Sequence, residues 1–491
     1  MSPTRHRLAR TTNVFADGAR RALVTGTCLA GALGSLSPRP VLAHGREPSV
    51  GQVAFDPADR DHFVLRGTWA LLTTRDDGAS FTWSCAVGAG FDRLTEDPVV
   101  AISESGRVHL GTFDGLRRSS VTACDYEDGA PPTWGSFAID VERDPHDGRT
   151  LWVAMSPGDA ANTLLRSIDE GDSYEVVHTF DVGLLLERVR LAPSDPMRLY
   201  VSGAVPRMDT EPRHVHVLHS EDGGDTFTQV EIPLLDGERN AHVLAVDPLD
   251  ADRALVRVTR ATTDEMPERL LLTEDGGATF TTVLEIREII GLAYAHDGGR
   301  VWAGSWYGGL HRSDDGGVTW TPIDPDLRVR CLAERAGASG GSELFVCVDE
   351  LSNDYAVGRS TDGGDTIAPL WGFADVVNDT GCSVCSVVGS VCPSYWPDVL
   401  YDIATLGGLD GGPAPGPTDA GPSFCGEGGV PFDAALPQPD AGSGGGGGTC
   451  ACRVGRPVAS SEGSASSEGS TAIVLGLGAL ASLAVRRRRR P

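Results

Sequence analysis

The chain has 491 residues with 62 Gly and 31 Pro, together about a fifth of it, a breaker content that excludes a helical bundle. Its formal charge of -27 arises from 68 acids against 41 basic residues. All 41 are Arg, so chemistry on a lysine amine is excluded, and the missing basic footprint argues against nucleic acid as a partner.

Residues 1–43 read as a secretion signal: a basic start (Arg5, Arg7, Arg10, Arg20, Arg21), a modestly apolar run Ala22 to Leu36, and Val41-Leu42-Ala43 as a small-residue cleavage site. Arg20-Arg21 before Ala22-Leu23-Val24 resembles a twin-arginine signal. Without this segment and the five-arginine cluster Arg486–Arg490, 30 Arg face 67 acids, so the middle of the chain carries about -37.

Residues 44–380 contain a repeat of the form hydroxyl-x-Asp-x-Gly-x-hydroxyl-aromatic. Its copies start at Thr74, Ser167, Ser220, Thr273, Ser313 and Ser360, with Asp76, Asp169, Asp222, Asp275, Asp315 and Asp362 as the acids. A decayed copy starts at Ser119, where Val121 and Ala123 replace the Asp and Gly. The spacings are then 45, 48, 53, 53, 40 and 47, close to the length of a four-stranded propeller blade. Short apolar runs closed by Asp-Pro, such as Val53-Ala-Phe-Asp56-Pro57 and His242 to Pro248, read as strands walled on both faces. The expectation is an all-β, seven-bladed β-propeller with strand order A, B, C, box, D. In each box, Asp and hydroxyl groups bond backbone amides of a tight turn and Gly supplies positive φ, so the Asp is structural.

Residues 381–405 form a Cys-rich extension. Residues 406–449 are a Gly/Pro/Asp-rich linker, expected to be a disordered, extended stalk. Residues 450–491 hold, in order, Cys450-Ala-Cys452, a short apolar segment 471–485 and the Arg cluster, which would fix the orientation of a short C-terminal membrane segment.

The repeats are similar to the Asp-boxes (BNR repeats) of sialidases, sortilin-type receptors, xyloglucan-cleaving glycosidases and photosystem II assembly-factor propellers. The tail resembles the MYXO-CTERM sorting signals of myxobacterial surface proteins, which implies cleavage by a sorting protease near Cys450 and Cys452. The implied location is the cell surface or outer membrane of a bacterium, with the product either membrane-anchored or processed at its C-terminus. A sialidase is argued against by the lack of an Arg-Ile-Pro motif between residues 44 and 73.

In this strand order the D to A and B to C connections share the face that opens on the central channel. They carry Arg93, Arg188, Arg190, Arg239, Arg287, Arg328 and Arg330 from five blades, with Trp69, Phe113, Trp306 and Tyr307. Forked guanidiniums suit carboxylate or sulfate ligands. These are the expected ligand-binding residues; no catalytic residue, metal ligand or cofactor is assigned, and His214, His216 and His219 read as strand residues. Of the cysteines, Cys331 and Cys347 are expected to pair across adjacent strands, then Cys85 with Cys124. Cys382, Cys385, Cys392 and Cys425 are expected to form a separate two-disulfide cluster. The expected function is a cell-surface binding module for a glycan or protein ligand, non-catalytic. The alternative is a secreted glycoside hydrolase with a carboxylate pair on the channel face.

Overall fold

The computed structural model describes residues 47–92, 94–158, 160–206, 213–261 and 263–405. The signal segment, Arg93, Cys425, the linker and the C-terminal tail with Cys450 and Cys452 lie outside the described residues.

Twenty-eight strands form seven four-stranded antiparallel sheets, each built from four consecutive strands. The blades span residues 50–85, 99–128, 137–179, 185–231, 238–286, 289–324 and 329–371. The innermost strand A of each blade meets strand A of the next, and the strand Val50–Phe55 of blade 1 meets Val329–Ala336 of blade 7, so the ring closes. The protein is a seven-bladed β-propeller. Inner strands are nearly all apolar and buried, as in Leu151–Ser156 and Val301–Ser305, because neighbouring blades cover both of their faces.

The repeat lies between strands C and D of each blade. In six blades one geometry recurs: the Ser or Thr Oγ accepts the glycine N–H, at 2.9 Å for Gly78 and 2.8 Å for Gly277. The Asp accepts the second hydroxyl at 2.6 Å in all six. Glycine is required twice over at Gly277: its φ is +95°, and a Cβ there would lie 2.7 Å from His219 Nδ1 of the preceding blade. At the closure, Gly78 of blade 1 meets Leu370 of blade 7 in the same way. The last joint is therefore made like the others.

Among the described residues no strand is exchanged between the two ends of the ring. Closure is reinforced instead by the segment after blade 7. Its short helix Val387–Val391 and the helix Trp396–Thr405 pack on blade 1, with Trp396 against Trp83 at 5.6 Å between ring centroids. Two disulfides, Cys85–Cys392 and Cys124–Cys382, tie this clasp to blades 1 and 2. Cys85 and Cys124 thus do not pair with each other, and Cys382 and Cys392 do not belong to a separate cluster. The strands and the extension, far apart in sequence, meet because the ring returns its last blade beside its first. Cys331 bonds Cys347 across strands A and B of blade 7, and Cys385 is also disulfide-bonded.

The decayed repeat in blade 2 is where the clasp docks. Val388 N–H donates to Cys124 O (3.0 Å) and Val387 N–H to Asp125 Oδ1 (2.8 Å). Here Ser120 Oγ accepts the Cys124 and Asp125 amides, and Ala123 takes the positive φ of +56°. The turn that lost Asp and Gly is held by a covalent neighbour.

Candidate functional site

The channel opens on the face made by the D to A and B to C connections. A cavity of about 790 Å³ sits there, lined by strand A residues of blades 1, 2, 4, 5, 6 and 7. Arg188, Arg190, Trp306 and Arg330 line it, together with Glu288 and with Glu47, Arg66 and Asp97, the last three not singled out by the sequence reading.

A recurring irregularity shapes this mouth. In six of the seven blades the A–B ladder skips one residue near the mouth end of strand A: Gly51, Ile139, Glu187, Arg239, Ile290 and Arg330. Such a bulge frees a residue from the ladder and re-aims its side chain, and the rims of closed β structures favour it. Three of the six are charged, and Gly51, Ile290 and Arg330 line the cavity. The bulges carry no pattern visible in sequence, because the inserted residues range over glycine, isoleucine, glutamate and arginine.

The arginines divide into two groups. Arg190 is held by Asp140 (2.9 Å) and Glu142 (3.0 Å), and Arg330 by Glu47 (3.2 Å) and Asp349 (3.3 Å). Arg188 has only Asp140 at 3.7 Å. Arg239, Arg287 and Arg328, with Arg213 which was not foreseen, have no carboxylate within 4 Å among the described residues. Two of these stack on aromatic rings instead. The Arg287 guanidinium lies 3.8 Å from the Tyr307 ring centroid, and Arg328 and Arg330 lie 5.6 and 4.4 Å from that of Trp306.

Phe113 is half-exposed and packs edge-on to Phe137 at 4.9 Å. Trp69 departs from the expectation. It is buried against Trp83 and Phe373 in the core under the clasp and cannot meet a ligand at the mouth.

The mouth carboxylates also divide. Glu96, Glu238, Glu268 and Glu350 accept backbone amides of Phe113, Leu235, Ile289 and Phe373, so they brace the connections between strands. Glu187 does not. Burial pushes its carboxyl up to about 7, against the pull of Arg213 and Arg188, and its Oε2 lies 3.1 Å from His242 Nδ1 without hydrogen-bond alignment. Burial and then Arg188 and Arg257 hold His242 neutral, down to about 3. Glu142 is raised to about 6 by burial, with Arg190 opposing and Asp140 adding.

His214 and His216 stack 6.5 Å apart and His214 contacts Glu231 at 2.7 Å; among the described residues no group of three metal-ligating side chains converges. No described helix is long and apolar enough to cross a membrane.

The sequence matches no protein-family model and no curated protein. Among solved structures, an ancestral GH74 enzyme is similar with a TM-score of 0.50 at 14% identity, covering 66% of this chain. The match spans 46% of that enzyme, less than half of its length. A GH74 enzyme from Niastella koreensis gives 0.30 at 17% identity, covering 65% of each chain. YCF48 from Cyanidioschyzon merolae gives 0.42 at 16% identity, covering 61% of this chain and 92% of its own. At these identities the likeness to the ancestral enzyme is one of fold.

Proposed function

We propose that the protein is an exported Asp-box propeller, displayed on a bacterial surface by its MYXO-CTERM-like tail, whose channel mouth binds a glycan or protein ligand without cleaving it. One observation carries this reading: the exposed aromatic residues Phe113, Trp134, Phe137 and Tyr307 share the mouth face with Arg239, Arg287 and Arg328, which have no carboxylate partner among the described residues. Exposed aromatic area costs solvation and is concentrated where a partner covers it. Incubation of the purified body with a polysaccharide panel is expected to capture a ligand while releasing no reducing sugar.

A glycoside hydrolase is the second reading, favoured by Glu187, whose carboxyl burial raises to about 7, the range of a general acid. It requires sugar release that Glu187→Gln abolishes. Reproducible release of this kind replaces the binding-module reading. For the tail, mass spectrometry of the surface protein from its native host is expected to find no peptide from residues 472–491. Cys452→Ala should leave those residues attached, and recovery of the intact tail from the wild type would support a plain membrane anchor instead.

A further inference from the structure

The arginines at the mouth pose a chemical question. In a chain with 68 acids and 41 arginines, a guanidinium finds a carboxylate easily. On the opposite face most do: Arg198 contacts Glu221 and Asp252, Arg312 contacts Asp314 and Asp365, and Arg335 contacts Asp77 and Glu343, whereas Arg75 reaches only the Val121 carbonyl. Arg287 and Arg328 contact none among the described residues, although Glu288 is the chain neighbour of Arg287 and lines the adjoining cavity.

What holds them is aromatic. Trp306 and Tyr307 are successive residues of one turn, with ring centroids 6.5 Å apart and planes at 83°. Ser305 fixes that turn: its hydroxyl donates to Arg287 O and accepts the N–H groups of Tyr307 (3.2 Å) and Gly308 (2.7 Å). Arg287 rests on Tyr307, while Arg328 and Arg330, two residues apart on blade 7, rest on Trp306. Three cations and two rings therefore form one ledge across blades 6 and 7. Trp306 and Arg330 reach into the channel cavity, and Tyr307 stays half-exposed. A guanidinium stacked on a ring keeps its N–H edge for a planar anion, and the buried Nε of Arg287 has no hydrogen-bond partner among the described residues.

Building on the proposed mouth-binding role, we infer that this ledge is a subsite for the anionic sugar of an acidic polysaccharide. A carboxylate or sulfate would engage the Arg287 and Arg328 forks, and the pyranose C–H face would lie on the exposed aromatic surface. The ledge is two rings wide, the size of one or two sugar residues, and flat apolar area beside fixed cations suits a sugar ring better than a flexible acidic peptide, which pays more ordering entropy.

Titration calorimetry of the full secreted protein with polygalacturonate, chondroitin sulfate, dextran and poly-glutamate tests this. Binding of polygalacturonate or chondroitin sulfate, weakening as salt rises, is expected; polygalacturonate binding as tight as that of chondroitin sulfate means that a carboxylate suffices, and tighter chondroitin sulfate binding that desulfation removes assigns the sulfate. Arg287→Gln and Arg328→Gln should each weaken it about tenfold or more, while Arg149→Gln on the opposite face leaves it unchanged. Circular dichroism of each variant checks its fold, and Arg287→Lys, which keeps charge but not the fork, should recover only part of the affinity. Equal binding of dextran that Tyr307→Ala abolishes would leave the mouth-binding role standing and overturn the acidic-sugar inference. Tighter poly-glutamate binding through the same arginines would overturn it in favour of an acidic protein. Polysaccharide binding indifferent to every mouth substitution would overturn both readings, and failure of all four probes to bind would overturn the inference.

Discussion

The two faces of the ring are built on opposite rules. On the turn face one eight-residue solution is repeated, its hydrogen bonds alike to within 0.3 Å across six copies, and blades are linked by ion pairs such as Arg118–Asp172, Arg198–Asp252 and Arg359–Asp77. On the mouth face the bulged residues range from Gly51 to Arg330, and Arg287 and Arg328 have no carboxylate partner among the described residues. Repetition marks the face that keeps the ring together; irregularity marks the face free to specialise.

That contrast can be broken most sharply at the clasp, which supplements the turn face where its pattern fails. Cys392→Ser is expected to cost about 2–5 kcal/mol of stability, because the crosslink it removes joins residues 307 apart. Thermal unfolding with and without reductant measures this, and a reductant-insensitive melt would show that the clasp adds nothing to the ring. Next is Gly277→Val, which forces a branched residue into φ +95° and against His219, at a cost of about 1–3 kcal/mol. Ligand binding by the folded fraction should be unchanged, since the turn lies on the far face.

The faces should also separate by pH. Hydrogen bonds from Thr226 hold Asp222 down to about 2, and those from Thr366 do the same for Asp362. Carboxyls lowered in the folded state lend stability that is complete above their ordinary value near 4 and is lost as pH falls toward 2. Glu187 behaves oppositely. Raised from 4.5 to about 7, it binds more protons folded than unfolded in that interval, so its contribution declines as pH rises through it. Glu187→Gln is therefore expected to raise the melting temperature above pH 7 by about 2–4 °C and to flatten the profile between pH 4.5 and 7. An unchanged profile would mean that Glu187 titrates normally. The smallest effect is expected from Arg239→Gln, an exposed residue with no carboxylate partner, which should move stability by less than about 0.5 kcal/mol.

Much of the turn face was legible in the sequence, because a hydrogen-bonded turn constrains residue types at fixed offsets and so writes itself six times. Even the decayed copy at Ser119 was readable from its flanking strand. Its reason was not: only the fold brings Cys382 to Cys124 and so relieves that turn of its Asp. The mouth was legible only as a list of connections. Arg188, Trp306 and Arg330 do meet at the cavity, but Trp69, equally placed by topology, is covered by the clasp. The bulges at Glu187 and Arg239 leave no trace, since skipping a ladder position depends on register and not on residue identity.

The clasp also decides how the body would carry mechanical load. A pull on the chain beyond Thr405, as surface tethering would impose, runs through the helix Trp396–Thr405 to Cys392 and from there covalently into Cys85 of blade 1. A second crosslink at Cys382 passes what remains into blade 2. The outer strand of blade 7, next in line along the backbone, is shielded from being peeled off hydrogen bond by hydrogen bond. Tension between a held ligand and the tether would instead be borne by bonds that do not slip.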